Sequence, residues 1–152
     1  MTLELSPRTQ AYISSLTCTP LEADDPRIEA CVQHYINQFE LPKDSRPVAE
    51  RWFGVFDGEQ LLVAVGERMR APGVVEVTDM YPAPPGGPRS TAAIYGALQT
   101  YRKLMQLGVY KNVLAAVLSY NETFQRVIER VFGLRPTAYF YIANGEDFME
   151  KA

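Results

Sequence analysis

The sequence predicts an α/β domain with a mixed, mostly antiparallel central sheet of about six to seven strands and helices on both faces. Two observations support this fold class. Three apolar runs follow one another between residues 50 and 81 and are separated by tight turns, which is typical of an antiparallel meander. After residue 90, a helical apolar period gives way to a short continuous apolar run, which indicates a helix followed by a buried parallel strand.

Length and composition fit one domain over residues 1–152. The chain is 47% hydrophobic and 22% charged, with a formal net charge of -3. Roughly 70% of the unfolded surface can be buried at this length. Such an acidic chain, with a pI near 5.2, offers no basic face for nucleic acid. No signal-peptide pattern and no long apolar stretch occur, so we expect a cytoplasmic protein without a membrane partner.

The elements before the proline-rich loop come from apolar spacing and turn residues. Asp57-Gly58 separates two apolar runs like the two residues of a type I′ turn, and Ala71-Pro72-Gly73 ends the second run. Apolar residues three and four apart indicate an early helix. The predicted elements are a strand at 11–18, a helix at 27–39 and strands at 50–56, 60–69 and 74–81.

The elements after the loop PAPPGGP, at 82–88, are read in the same way. Ile94, Leu98, Tyr101 and Met105 recur at helical spacing, and Gly108 occupies the usual position of a helix terminator. The apolar run 113–118 indicates a strand buried on both faces. The predicted elements are a helix at 90–107, a strand within 110–118, a helix at 122–132 capped by Asn121, and a strand at 137–142.

The start of the helix at residue 90 is suited to an anion. Free N–H groups and the positive end of a helix dipole attract phosphate. Arg89 adds a cation, small residues follow it, and no acid lies in the first turn. The alternative is structural, because Ser90 or Thr91 could simply cap the helix after a proline-rich turn.

The order of elements over roughly residues 11 to 143 resembles the GNAT superfamily of acyl-CoA-dependent N-acyltransferases. The family's pyrophosphate signature is Q/R-x-x-G-x-G/A, and residues 89–94 read R-x-x-A-x-I. The strand at 75–82 is similar to the family's fourth strand. The stretch 118–134 is similar to its N-x-x-A-x-x-x-Y-x-x-x-G-F ending, with Ile128 or Glu129 where the family has tyrosine.

The resemblance implies a V-shaped gap between the strands 74–81 and 110–118 that receives the pantetheine arm of acetyl-CoA or another acyl-CoA. The backbone of Met80 and Tyr81 would pair with that arm, and the Asn121 amide would lie nearby unless it is only a helix cap. The residues implied at the pyrophosphate are Arg89, Ser90, Thr91 and Ala92.

Acylation of an amine needs a group that accepts a proton from nitrogen. Asp79 and Glu76 lie on the strand that should border the acyl group, and their spacing predicts opposite faces. Asp79 is favoured because it is nearer the end of the strand where clefts form; alternatively it starts a turn or pairs with Arg68 or Arg70. Tyr120 is the nearest phenol that could replace the family's tyrosine as the acid for the thiolate.

The function predicted from these residues is transfer of an acyl group from acyl-CoA to a primary amine on a small molecule or a protein, without a metal. A second hypothesis is a GNAT-like module without catalysis that serves binding or assembly, such as a bacteriophage virion component. A third is an unrelated α/β ligand-binding domain. A homodimer is left open, and His34 is expected to be packed or solvated rather than catalytic.

Overall fold

The structure, a computed structural model, describes residues 5–43, 47–115, 125, 126 and 129. One five-stranded sheet runs through the described part in the order β1-β2-β3-β4-β5. The first three pairings are antiparallel and the last is parallel, which confirms the predicted mixed, mostly antiparallel sheet. The elements are α1 Pro7–Ser15, β1 Thr17–Leu21, α2 Pro26–Gln38, β2 Arg51–Asp57, β3 Gln60–Ala71, β4 Val74–Pro82, α3 Pro88–Gln106 and β5 Asn112–Ala115.

Two predicted elements fall beyond this part of the chain. The strand predicted at 137–142 lies outside the described residues, so five strands are seen where six to seven were expected. Of the helix predicted at 122–132, only Gln125, Arg126 and Glu129 are described, and all three are helical. None of the described helices is both long and apolar enough to cross a lipid bilayer.

Helices cover both faces of the sheet, as predicted. On the side that we call the α2 face, Ile28, Cys31, Val32 and Ile36 of α2 pack against Trp52, Phe56, Leu61 and Ala64. On the opposite side, the α3 face, Ala93, Ala97 and Tyr101 of α3 pack against Val55, Val63, Val65, Val75 and Val77. Each face therefore has its own hydrophobic cluster, and the sheet lies between them.

The strand predicted at 11–18 is wrong, because a helix occupies most of that segment. Ser6 caps α1 by accepting a hydrogen bond from the Thr9 backbone N–H at 3.2 Å, and Pro7 stands at the first helical position, where its missing N–H costs nothing. Ile13 is the buried residue of α1, and it reaches Gly96 on α3. The first strand follows at Thr17–Leu21 and pairs with β2 at the edge of the sheet.

The hairpin between β2 and β3 is confirmed, but its turn lies one residue later than predicted. Asp57 pairs with Gln60, so Gly58 and Glu59 form the two-residue loop. Of these two, only Gly58 has a positive φ, 59°, whereas a type I′ turn needs two. Asp57 is consequently the last residue of β2 and not part of the turn.

An irregularity in β4 reverses the alternation of its side chains. Gly66 pairs with Asp79 and Glu67 with Val77, which leaves Thr78 as an extra residue on β4. Such a bulge changes which face the following residues occupy. The prediction that Glu76 and Asp79 lie on opposite faces is therefore wrong: Val77 belongs to the α3 face, while Glu76 and Asp79 lie on the α2 face.

The crossover from β4 to β5 is the parallel connection that the sequence predicts. Residues Val74–Val77 pair with Asn112–Ala115 through α3, and Gly108, with a φ of 76°, follows the end of the helix. The prediction that the strand is buried on both faces is wrong for the described residues, since Leu114 is 41% exposed. Of the described residues of β5, Val113 is the one that packs against the α3-face cluster.

Candidate functional site

Asp79 is a buried acid on β4, with 8% of its surface exposed. Two hydroxyl groups donate to its carboxylate: Thr78 Oγ1 to Oδ2 at 2.6 Å and Tyr81 Oη to Oδ1 at 2.7 Å. Among the described residues no cation forms an ion pair with it. Both oxygens of this buried carboxyl group are therefore satisfied by hydrogen bonds.

Gly66 makes room for Asp79 on the neighbouring strand. A Cβ at Gly66 would lie 3.1 Å from the Asp79 Cβ and 2.5 Å from the Ala49 Cβ. Real side chains do not approach this closely, so no larger residue fits without a shift of its neighbours. The glycine in β3 thus lets Ala49 and Asp79 close over the same position of the sheet.

Aromatic rings surround the phenol that donates to Asp79. The Tyr81 ring lies 4.8 Å from the Tyr35 ring, edge to face, and 6.4 Å from the Trp52 ring, between centroids. Tyr35 in turn packs against Phe39 at 4.6 Å. Edge-to-face and offset contacts of this kind are favourable, and they hold the Tyr81 side chain over the α2 face.

Glu76 has a different environment from Asp79. Its carboxylate pairs with Arg68 Nε at 2.7 Å and lies 3.5 Å from Arg70 Nη1. The two arginines that the sequence offers as structural partners for Asp79 therefore pair with Glu76. Of these two acids, Glu76 is the one that the structure pairs with arginine.

The start of α3 keeps unbonded N–H groups, although it begins earlier than predicted. Gly87 is the N-cap residue and no side chain caps the helix, so the alternative that Ser90 or Thr91 caps it is wrong. Thr91 instead uses its backbone N–H and its hydroxyl on the Gly87 carbonyl. Pro88 has no N–H, which leaves those of Arg89 and Ser90 in the first turn without a helical acceptor.

The small residues of this turn differ in where their side chains lie. Ser90 is 4% exposed and Ala92 is 7% exposed, so both side chains point into the protein, whereas Thr91 is exposed. No acid occupies the first turn. An anion at this point would therefore meet backbone N–H groups and the positive end of the helix dipole.

Arg89 lies beside this turn, but its guanidinium is already engaged. It donates to Tyr12 Oη at 2.9 Å, to Gln60 Oε1 at 3.0 Å and to the Asp57 carboxylate. Hydrogen bonds from Arg89 and then from Tyr12 hold the pKa of Asp57 below its usual range. We call Tyr12, Asp57, Gln60 and Arg89 the Arg89 cluster; it ties α1, the β2–β3 hairpin and α3 together.

A second buried acid lies on the α3 face. Glu67 accepts a hydrogen bond from Tyr101 Oη at 2.5 Å and pairs with Arg51 at 2.8 Å. Burial, followed by the hydrogen bond to Glu67, raises the pKa of Tyr101. Because the acid, the phenol and the guanidinium satisfy one another, this group fastens α3 to β2 and β3.

Two further side chains that could take part in chemistry, His34 and Cys31, lie on α2. His34 is half-buried on α2, and a Cβ on Gly86 would lie 3.8 Å from its Nε2. Burial raises the pKa of the Cys31 thiol to about 11, which makes it a poor nucleophile. Within the described ranges, no three histidine, cysteine or acidic side chains are grouped to hold a metal ion. Tyr120 and Asn121 lie outside the described residues.

Sequence reasoning missed the partners that define both polar clusters. Tyr81 lies two residues after Asp79 and shares its face by ordinary strand alternation, and Thr78 is adjacent in the chain; the bulge decides only that this face is the α2 face. The sequence pattern predicts Asp57 in a turn and Tyr12 in a strand, whereas Asp57 ends β2 and Tyr12 lies on α1. A serine followed by proline at positions 6 and 7 was the signal for α1, and it would have placed Tyr12 on a helix.

Comparison with known proteins identifies the fold. No family model and no curated protein matches the sequence. A ribosomal-protein-alanine N-acetyltransferase from Brucella melitensis biovar Abortus 2308 is similar over 86% of this chain and 99% of its own, with a TM-score of 0.58 and 14% identity. An integron cassette protein from the mobile metagenome of V. cholerae is similar over 91% and 99%, with a TM-score of 0.51 and 9% identity.

A third solved structure is an acetyltransferase of the GNAT family from Streptococcus pneumoniae TIGR4, with a TM-score of 0.46 and 15% identity over 85% of this chain and 98% of its own. The likeness to the Brucella acetyltransferase shows that this chain shares its fold, in agreement with the GNAT-like fold that the order of the elements predicts. At these identities, the likeness is one of fold.

Proposed function

We propose that this protein is an N-acyltransferase that moves an acetyl or other acyl group from acyl-CoA to a primary amine. The observation that carries the proposal is Asp79, a buried carboxylate on β4 that is held by two hydroxyls and, among the described residues, is not paired with a cation. An acid of this kind on the strand that leads to an uncapped helix start supplies the parts that acyl transfer needs.

Acyl-CoA would bind along the end of β4 and at the start of α3. The backbone N–H groups of Arg89 and Ser90 supply donors for the pyrophosphate, the exposed Thr91 hydroxyl would join them by leaving the Gly87 carbonyl, and Ala92 adds no bulk to the turn. In the described part of the sheet, β4 pairs with β5 only from Val74 to Val77. The backbone beyond that point, at Met80 and Tyr81, is suited to pair with the amides of the pantetheine arm.

Asp79 would accept the proton that the amine nitrogen loses when it attacks the thioester carbonyl. Its carboxylate oxygens are held by two hydroxyl groups, and no cation among the described residues pairs with them. Glu76, between Arg68 and Arg70, would shape the charge of the cleft without taking the proton. No step needs a metal ion, and the acceptor is a small-molecule or protein amine in the cytoplasm.

The cofactor is tested first by thermal unfolding with acetyl-CoA and with free adenosine. We expect acetyl-CoA to raise the unfolding temperature, because it binds only the folded state, and adenosine to leave it unchanged. The reaction is then tested by thiol release from acetyl-CoA with a broad panel of amines. If acetyl-CoA binds but no thiol is released from it with any amine, the proposed enzymatic activity is contradicted.

A second candidate is a GNAT-like module without catalysis that serves binding or assembly. The observation that favours it is the engagement of Arg89 by Asp57 and Tyr12, which competes with a phosphate for the guanidinium. Ile94, where the family signature has a small residue, packs into the α3-face cluster. This candidate predicts no thiol release from acetyl-CoA with any amine, whether or not acetyl-CoA raises the unfolding temperature.

A further inference from the structure

The turn between α3 and β5 presents apolar side chains to solvent. Leu107 is 66% exposed and Val109 is 55% exposed. A Cβ placed on Gly108, between them, would meet no atom within 4 Å beyond its own neighbours in the chain. Met105, in the last turn of α3, is 39% exposed. Single exposed apolar residues are common on protein surfaces, but here three lie within five positions of one projecting turn.

Hydrogen bonds fix the shape of this turn. The N–H of Gly108 donates to the Met105 carbonyl at 3.0 Å, and that of Val109 donates to the Leu104 carbonyl at 2.9 Å, which is the Schellman pattern of a helix end. The residue after the glycine often packs back on the helix in this motif, yet Val109 stays exposed. Tyr110 is half-buried and packs against the α3-face cluster. The apolar side chains are therefore held outward by an anchored turn.

Three cations flank the turn. Arg102 and Lys103 precede it on α3 and Lys111 follows it, and all three are exposed. In the part of the chain that the structure describes, no carboxylate forms an ion pair with any of them. The surface that we call the basic tip consists of Arg102, Lys103, Met105, Leu107, Val109 and Lys111.

The charge of this end of the molecule differs from that of the rest. Residues 68–75 and 102–115 lie side by side, because the Lys111 N–H donates to the Gly73 carbonyl at 2.7 Å. Together these two segments contain five basic residues and no acidic residue, in a chain that has 15 basic and 18 acidic residues. The net charge of -3 thus combines a positive end with an acidic remainder.

We propose that the basic tip attaches this protein to the surface of a membrane that contains anionic lipid. Leu107 and Val109 enter the headgroup region, and the three cations contact the anionic headgroups. Exposed apolar side chains and neighbouring cations are the two features that such binding uses. The expectation of no membrane partner came from the lack of a long apolar stretch, and attachment to a surface needs none.

The small size of the basic tip favours a lipid surface over a protein partner. A stable protein interface buries about 800 Å² on each partner and needs a surface of matching shape. Three apolar side chains on a projecting turn provide much less than this. A lipid interface adapts to a projection, and binding becomes stronger with each inserted apolar side chain and each basic residue.

The basic tip lies far from the site proposed for acyl-CoA. It follows the C-terminal end of α3, whereas the pyrophosphate is placed at the first turn of that helix, and 19 helical residues span about 28 Å. β4 and β5 begin at the end of the sheet that bears the tip, where Val74 pairs with Asn112. Attachment through the tip would leave the start of α3 away from the membrane, and it does not depend on the proposed acyl transfer.

The test is co-sedimentation of the full chain with lipid vesicles of two compositions, phosphatidylcholine alone and a mixture of phosphatidylcholine and phosphatidylserine. We expect binding to the mixed vesicles and much weaker binding to the neutral ones, because the cations need an anionic surface. High salt should weaken binding to the mixed vesicles, since it screens these charges.

Two variants of the tip separate its cationic and apolar parts. Lys111→Gln should weaken binding to the mixed vesicles about fivefold, the amount that one basic residue contributes at such a surface. Leu107→Ser should weaken it about tenfold, because an apolar side chain no longer leaves water. The matched controls are Arg8→Gln on α1 and Val48→Ser, which remove an exposed cation and a 59% exposed apolar side chain elsewhere. Both controls should bind like the wild type.

Three results would overturn the inference. The first is no binding to the mixed vesicles. The second is binding that Lys111→Gln and Leu107→Ser leave unchanged, or that the controls weaken equally, because another surface would then be responsible. The third is tip-dependent binding of a synthetic Glu-Leu repeat peptide, measured by fluorescence anisotropy, without binding to vesicles, which would indicate an acidic protein partner. Thermal unfolding checks that each variant is folded, and thiol release from acetyl-CoA tests the proposed function separately.

Discussion

We call Asp79, Thr78 and Tyr81 the Asp79 cluster. Like the Arg89 cluster, it contains an aspartate and a tyrosine hydroxyl, but in the opposite setting. Asp79 is buried and bonded to two hydroxyls, whereas Asp57 lies at the surface and is bonded to a guanidinium and a phenol. The side chain of Arg89 is 50% exposed and that of Asp57 is 37% exposed. In the part of the chain that the structure describes, Asp79 has no cationic partner, whereas Asp57 is paired with Arg89.

The difference teaches which acid can work as a base. An arginine beside a carboxylate favours the charged form, so the carboxylate binds a proton weakly. In water such an ion pair contributes little to stability. The Asp79 carboxyl group instead accepts hydrogen bonds from two hydroxyls, and the surrounding fold holds it in place. The Arg89 cluster attaches elements to one another, and Asp79 is the acid to which we assign chemistry in the proposed function.

The largest expected effect comes from Asp79→Asn. The substitution keeps the shape of the side chain and removes its basicity, so acyl transfer should fall by about 10² to 10⁴-fold. Affinity for acetyl-CoA, measured by calorimetry, should stay near the wild-type value. Full activity in this variant would show that Asp79 is not the base, and it would shift the role of the base to Glu76 or to an ordered water.

The glycine beside Asp79 should be the next most sensitive position. Gly66→Ala places a Cβ 2.5 Å from Ala49, and overpacking of this kind costs about 1–3 kcal/mol. We expect a lower free energy of unfolding in urea and a displaced Asp79 with reduced activity.

The matched control for Gly66→Ala is Ala49→Gly, which removes the closest atom. Adding Ala49→Gly to Gly66→Ala should restore much of the lost stability, although Ala49→Gly alone should not stabilise the protein. If the double variant is no more stable than Gly66→Ala, the contact with Ala49 is not the cause.

Arg89→Ala tests whether the exposed cluster also serves the cofactor. If Arg89 releases Asp57 to meet the pyrophosphate, the loss of one charged hydrogen bond should weaken acetyl-CoA binding by about 10- to 10²-fold. Arg27→Ala is the control, since Arg27 is likewise exposed and paired, with Asp25 at 2.8 Å, but lies on α2. Equal affinities of wild type and Arg89→Ala in calorimetry would confine Arg89 to a structural role.

Asp57→Asn should act in the opposite direction. It removes the charge that competes for the guanidinium, so acetyl-CoA should bind about twofold to fivefold more tightly, the amount that an exposed ion pair is worth. Asp57→Asn combined with Arg89→Ala should show no gain over Arg89→Ala alone. Tighter binding in that double variant would mean that Asp57 acts by general charge and not through Arg89.

The smallest effect is the pH dependence of the ion pair. The pKa of Asp57 is lowered in the folded state by Arg89 and Tyr12, so its contribution to stability is present above the ordinary carboxyl pKa of about 3.9. It is lost as the pH falls through the lower, folded value. The urea midpoints of wild type and Asp57→Asn should differ slightly at pH 7 and converge in strong acid; a constant difference would exclude this titration.

Local pattern was sufficient for the meander and for the crossover that follows it. Strands at 50–56, 60–69 and 74–81 and the helix at 90–107 were close to β2, β3, β4 and α3, because turn residues and apolar period act over a few positions. It failed at residues 11–18, where the serine and proline that start α1 were overlooked. Helical and extended segments of that length contain similar apolar residues.

What the sequence by itself determined is the order of most elements, the position of Asp79 on β4 and the small, acid-free start of α3. Only the tertiary structure decided which groups meet. The bulge at Thr78 puts Asp79 and Tyr81 on the same face as Glu76, and the packing of the β2–β3 hairpin beside α3 brings Asp57 to Arg89, 32 positions away in the chain. Such pairings depend on strand register and on contacts between distant segments, which local periodicity does not encode.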